Sequence, residues 1–398
     1  MRVSSDLLRT VFLNALADAQ QRFAKTQTQV STGQRVNSPS DDPAAAARIA
    51  QLNASLARLD QFKSNADFAR NQLGLEENAL TSVIDNLQRI RELTVQANNA
   101  PLTDGDRAAI ASELRQRVDA LRSVANSTDV DGRHLFGGYG ETATPFSVGA
   151  GGAVVYNGDQ GQRSVQVSET RFVALNDSGT EVFQRIPTGN GTFTLAAGAT
   201  NTGSGLLGAG TVVNPAAWVP GTYTITFLTP TTYEVRDGAA ALVASGAYTP
   251  NQAISFRGID VPIDGQPAAG DTFTVAPSAS RDVFATINSL ITTLDTPTPS
   301  PAARTALQNQ LGQLLADVDQ ATNHAIGKRA EVGSRVRALD DEASLGQDFH
   351  VQLSTTLSNI RDLDYAEALT RLSQQQLGLE AAQQAFSRTE GMSLFRFL

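Results

Sequence analysis

Val30-Ser31-Thr32-Gly33-Gln34-Arg35-Val36-Asn37-Ser38-Pro39-Ser40-Asp41-Asp42-Pro43 is the stretch on which the reading of this fold turns. A helix stops at its start and another begins at its end. Gly33 accepts the left-handed conformation that closes a helix at C′. Asn37 to Asp42 form a polar connector. Asp42 is a good N-cap, and Pro43 suits the first helical position, where an N–H would be unpaired in any case.

Upstream, Phe12, Leu16, Ala19, Phe23, Thr26 and Val30 recur at spacings of 4, 3, 4, 3 and 4. This is the seam of a coiled coil, narrower than the apolar face of a globular helix. Downstream, Ile49, Leu52, Leu56, Leu59, Phe62, Ala66, Leu73, Leu80, Ile84, Leu87 and Ile90 predict one helix from Pro43 to about Asn99. At 1.5 Å per residue it makes a rod of roughly 80 Å. Asn98-Asn99-Ala100-Pro101 breaks it, and Thr103 caps a shorter helix through Ala125.

Towards the other end, Phe284, Ile287, Ile291 and Leu294 predict a helix that Pro297, Pro299 and Pro301 stop. Leu307, Leu311, Leu314, Val318, Ala321, Ala325, Lys328 and Val332 predict a second long helix, continuing past Leu339 toward Leu353. Antiparallel pairing of the two rods buries both stripes. A last helix carries Tyr365, Leu369, Leu372, Gln376, Leu379, Gln383 and Phe386. Either its two glutamines sit in the seam, weakening it while fixing register, or the seam drifts and both face solvent.

Between these helical ends, residues from Gly137 to about Pro277 are dense in Gly, Thr, Val and Pro. Period-two runs at 153–156, 163–167, 192–195, 222–227, 232–235 and 272–275 read as strands. Asn157-Gly158, Asp237-Gly238 and Asp264-Gly265 are expected to supply turns with positive φ. The fold class is α+β: long antiparallel helical rods or coiled coil formed by both termini, with an inserted antiparallel β domain that splits near 201–210. The expected domains are 1–42 with 353–398 (terminal helical), 43–136 with 281–352 (helical rod) and 137–280 (β).

Composition limits the chemistry. In 398 residues, 31 Lys and Arg stand against 40 Asp and Glu, a net charge of −9. Such a chain is poorly suited to neutralising phosphates or adsorbing to anionic lipid, so neither nucleic acid nor membrane is an expected partner. No stretch approaches the roughly 20 apolar residues of a membrane span. Asp6, Arg9 and Asn14 interrupt any secretory h-region. There is no cysteine, and His134, His324 and His350 are too scattered for a metal site or triad.

Gly203-Ser204-Gly205-Leu206-Leu207-Gly208 spells the dinucleotide fingerprint, but no helix follows it to meet a pyrophosphate, so it reads as a loop. Asp41-Asp42 is explained by capping, and Asp340-Asp341-Glu342 by a solvated helix face. A glycan hydrolase would need two carboxylates across a cleft, drawn from Asp237, Asp260, Asp264 and Asp271. No catalytic, cofactor or metal site is predicted. Composition points to protein partners.

Both ends are similar to a known family. Residues 30–43 resemble the N-terminal signature of the flagellin superfamily, a Ser-Thr-Gly helix end followed by Arg-hydrophobic-Asn and a double Asp. Asp362-Leu363-Asp364-Tyr365-Ala366-Glu367 resembles its C-terminal signature. Within the superfamily, Met1-Arg2-Val3-Ser4, His134-Leu135-Phe136-Gly137-Gly138-Tyr139, Tyr156-Asn157-Gly158-Asp159, Val173–Gly179 and Met392-Ser393-Leu394-Phe395 resemble the hook–filament junction branch. The likeness covers roughly residues 1–185 and 281–398. The stretch from Gly258 through Phe273 is similar instead to a β module of hook-associated protein 1.

The resemblance implies a structural, non-enzymatic subunit of the extracellular bacterial flagellum, without cofactors. It implies export through the type III apparatus without a cleaved signal peptide, assisted by an export chaperone. Implied partners are hook-associated protein 1, flagellin and further copies in a ring. The terminal helices would pair and line the inner tube, with Phe12, Leu16, Phe23, Val30, Leu369, Leu372, Leu379 and Phe386 as interface residues and the β region facing outward. A flagellin proper is the nearest alternative, and a coiled-coil scaffold outside the flagellum a more distant one. Residues 1–33 and 362–398 are expected to order only on assembly, because isolated narrow-seamed helices have little to bury.

Overall fold

The computed structural model describes residues 5–99 and 102–391. The Met1–Ser4 and Met392–Phe395 motifs lie outside them. The helices are α1 Ser5–Thr32, α2 Pro43–Asn99, α3 Asp104–Ala125, α4 Val283–Asp295, α5 Pro301–Arg361 and α6 Tyr365–Gly391. Their starts follow the capping chemistry. Asp42 Oδ1 accepts the Ala45 N–H at 3.0 Å. Thr103 and Asp106 form a reciprocal capping box, and Asp282 accepts the N–H groups of Phe284 and Ala285.

Two compact units result, one from the described residues up to Ser64 together with those from Asp341 onward, the other from Asn65–Asp340. Both divisions fall inside α2 and α5, whereas the sequence places them at 42/43 and 352/353. Helix continuity leaves no mark in sequence where tertiary contacts change, and α5 runs unbroken to Arg361.

In the 65–340 unit, Leu73, Leu80, Leu87 and Ile90 of α2 share one core with Leu311, Val318, Ala325 and Val332 of α5, as the two stripes require. Leu114 and Leu121 of α3 and Ile287 and Leu290 of α4 complete it. Phe183 joins the first part of the β region to this core, with its ring 5.3 Å from Phe136, 5.2 Å from Phe146 and 5.9 Å from Phe284. Hairpins 146–148/154–156 and 164–166/172–174 lie on this side.

A second core begins at Phe193 and belongs to a five-stranded antiparallel sheet, in the order 242–247, 232–237, 223–229, 272–277, 193–197. The changeover between cores thus falls between Ile186 and Phe193, upstream of 201–210. All six predicted runs are strands. Leu242–Ala247, rich in Ala, Ser and Gly, is a strand without a sequence signal. Of the three predicted turns only Gly265 has positive φ, at 82°. In the Asp237 turn that role falls to Ala240 (φ 63°), because Asp237 Oδ1 takes the N–H groups of Ala239 and Ala241 and fixes the loop one residue wider.

The other motifs have structural duties. Leu206–Leu207 pairs with Ile263–Asp264 in a two-stranded sheet of its own, and the Gly203 N–H donates to Asp271, so the glycine-rich run is held by backbone pairing. Asp271 also takes the N–H groups of Thr202 and Ala268, and Asp260 accepts from Ser255 Oγ. His324 Nε2 lies 2.7 Å from the Glu181 carbonyl, and His350 Nε2 lies 3.6 Å from Asp60. Among the described residues no cluster of His, Asp or Glu could hold a metal ion, and no helix is long and apolar enough to cross a membrane.

One buried charge group stands out in the 65–340 unit. Arg335 grips Asp177 through two hydrogen bonds of 3.1 and 2.8 Å. Glu76, 1 % exposed, accepts the Asp177 N–H at 3.0 Å through Oε1, and its Oε2 is buried without a partner. Arg335 thus pairs with the Asp177 carboxylate, while Glu76 is held through the Asp177 backbone. Burial first, and the Asp177 charge second, push the Glu76 carboxyl well above its usual range. The folded state therefore holds a proton that the unfolded chain releases near pH 4.5. The Glu76 contribution to stability is complete below that pH and is lost as pH rises through the folded value. Glu76→Gln is expected to raise the denaturant midpoint of this unit at pH 7–8 and to flatten its pH dependence, followed by urea unfolding across pH 4–8.

Candidate assembly surface

On α1, Phe12, Leu16, Ala19, Phe23 and Val30 are half-buried and Thr26 is buried, the phase read from the sequence. The stripe packs along α6. On α6 the observed stripe is Ala368, Leu372, Gln375, Leu379, Ala382 and Phe386. It keeps Leu372, Leu379 and Phe386 but not Tyr365 or Leu369, which turn outward at 51 % and 50 % exposed. Gln376 and Gln383 face solvent. The reason is size. Ala368 and Ala382 flank the shared leucines on the side that lets two backbones approach. The polar seam position is Gln375, whose Oε1 is buried without a partner.

Where the two helices meet the rest of their unit, both signature motifs join. The Arg35 N–H donates to the Arg361 carbonyl at 2.7 Å and the Leu363 N–H to the Gly33 carbonyl at 3.0 Å, an antiparallel bridge between Gln34 and Asp362. Gly33 sits at φ 71°, with Tyr365 against it. Arg35 Nε and Nη2 both reach the Ile360 carbonyl, at 3.2 and 2.8 Å, and Nη1 lies 3.4 Å from Asp42 Oδ2.

The paired aspartates divide their work. Asp42 caps α2, and the Ala45 N–H, then Arg35, hold its carboxyl below the usual range. Asp41 Oδ2 accepts the N–H groups of Asn37 and Ser38, and Oδ1 meets Lys25 of α1 at 3.0 Å. The Lys25 hydrogen bond and the backbone donors hold Asp41 at about 2. Its contribution is complete above pH 3.8 and is lost as pH falls toward 2. The motif spelling marked each half of this clasp but not that they meet, and Ile360, the Arg35 acceptor 325 residues away, has no sequence signal.

The bacterial flagellin N-terminal helical region matches residues 3–141 and the flagellin C-terminal helical region residues 315–398. The D3 domain of flagellar hook-associated protein 1 matches residues 165–277. FlgL of Xanthomonas campestris superposes with a TM-score of 0.71 at 40 % identity, over 77 % of this chain and 99 % of that one. The chain belongs to the FlgL family. The flagellar junction protein FlgL from Legionella pneumophila is 32 % identical with a TM-score of 0.72, over 79 % of this chain and 100 % of its own. Flagellar hook-associated protein 3 of Salmonella typhimurium is 25 % identical, over 100 % of this chain and 99 % of its own. FlgL membership agrees with the signatures at 30–43 and 362–367, and the hook-associated protein 1 module is present where Gly258–Phe273 pointed to it.

Gly33→Ala would place a side chain in the left-handed region, at a cost of about 1–2 kcal/mol. The expected outcome is roughly 5- to 30-fold faster amide exchange at Arg35 and Leu363, measured by NMR on the full chain. Unchanged protection would mean that the clasp does not depend on this turn.

Proposed function

We infer that this chain is a structural subunit of the bacterial flagellum that forms the junction between hook-associated protein 1 and the flagellin filament. One observation carries the reading: neither hydrophobic core takes a residue from the unit containing α1 and α6. There the buried apolar residues among those described are Val36, Ala45, Leu52, Leu357 and Ala368. Leu7, Val11, Leu369 and Leu377 stand 50–68 % exposed on the terminal helices. Surface of this kind is completed by neighbouring copies and by family relatives of the same design.

In this reading Phe12, Leu16, Phe23, Val30, Leu369, Leu372, Leu379 and Phe386 form the assembly interface. Leu369, outward in the single chain, contacts a neighbouring subunit, and the half-buried others close the pair. Residues 1–33 and 362–398 complete their folding on assembly, which suits a chain exported unfolded through the type III channel without a cleaved signal peptide and with an export chaperone. A filament subunit is the second reading. The full-length likeness to hook-associated protein 3 and the opening Met1–Ser4 favour the junction.

Deleting the gene is expected to leave hooks in place while filaments are shed into the medium. Leu379→Asp in the intact gene should lose junction assembly with normal solubility. Filaments that stay attached in that strain would count against the interface. Strong amide-exchange protection of both terminal segments in the free monomer would sink the folding-on-assembly step.

A further inference from the structure

The geometry points to Arg35 as a positioning residue that sets the register in which α1 and α6 pair when the junction assembles, an inference that rests on the assembly reading above. The apolar seam cannot set register by itself. Leu372, Leu379 and Phe386 repeat every seven residues, as do Leu16, Phe23 and Val30. A slip by one heptad, about 10 Å along the axis, still matches apolar with apolar. The polar seam positions add no bond across the pair that would forbid it: Thr26 Oγ1 donates to the Arg22 carbonyl of its own helix, and Gln375 Oε1 has no partner. A restraint outside the repeat must do so.

Arg35 lies where that can be done. Its guanidinium forks onto the Ile360 carbonyl in the last turn of α5 and reaches Asp42, the cap of α2. Cation to helix C-terminus and anion to helix N-terminus both follow the helix dipoles. Its own backbone holds Arg361 through the N–H and Gln29 of α1 through the carbonyl, the latter at 2.6 Å. The neighbouring Gly33 carbonyl takes the Leu363 N–H just before α6. One residue therefore ties the exit of α1, the entry of α2 and the end of α5, and places the start of α6 one hydrogen bond away.

From this fixed base two antiparallel helices grow outward in step. Leu16 lies 17 residues before Gly33, and Leu379 lies 16 residues after Leu363. A lysine would keep the charge but could not fork onto a carbonyl.

The chain has no cysteine, so disulfide mapping is clean. Leu16→Cys is combined separately with Leu372→Cys, Leu379→Cys and Phe386→Cys in the full chain, and junctions assembled in cells are oxidised. With Arg35 intact, cross-linking is expected in the Leu379 pairing alone. In Arg35→Gln and Arg35→Lys it should spread to the pairings one heptad away, with loss of attached filaments and an unchanged unfolding midpoint for residues 65–340. Arg48→Gln, whose partner Gln51 is on its own helix, is the control and should change nothing. A single register retained in Arg35→Gln, or shifted cross-links with normal filament attachment, overturns the assignment. Failure of the assembly reading would show separately, as filaments still attached in the gene deletion.

Discussion

Two backbone hydrogen bonds, Arg35 to Arg361 and Gly33 to Leu363, join segments more than 320 residues apart in sequence. At that meeting α1 and α5 end and α2 and α6 begin, and each leaves backbone groups without an intrahelical partner. The polar signatures satisfy them. Gly33 closes α1 and Asp42 opens α2. Arg35 takes the Ile360 carbonyl, and Asp364 accepts the N–H groups of Ala366 and Glu367 as α6 starts. The density of Ser, Asn and Asp here is a consequence of four helix ends converging.

Burial is divided unequally on either side of this point. Residues 65–340 bury two cores, with Glu76 buried beside the Arg335–Asp177 pair and one of its oxygens unpartnered. The unit with α1 and α6 buries fully only Val36, Ala45, Leu52, Leu357 and Ala368 among its described apolar residues, and the α1–α6 stripe is otherwise half-buried. Each half-exposed Leu or Phe there retains apolar area that would contribute about 25 cal/mol per Å² if covered. Under the assembly reading, the surface held back in the single chain is what drives association.

Reading heptads was reliable where one phase fits and ambiguous where two do. In α1 the stripe from Phe12 to Val30 has one apolar phase, and the structure keeps it. In α6 two phases share Leu372, Leu379 and Phe386 and differ in whether Leu369 or Ala368 faces α1. The larger side chain looks like the better seam residue in isolation, yet the smaller one is buried because α1 lies close. The strand runs rich in Thr, Val and Tyr were equally legible, whereas Leu242–Ala247 forms a strand because Thr232–Asp237 lies beside it.

The order of the helices, their caps, the inserted β region and the family likeness were fixed by local chemistry: apolar period, capping residues and turn formers act within a few positions of themselves. Tertiary structure alone decided the outward turn of Leu369, the meeting of Arg35 with Ile360, the burial of Glu76 beside the Arg335–Asp177 pair and the division of α2 and α5 between two units. Each of these depends on which distant backbone arrives next to a residue, and no local period or composition encodes that.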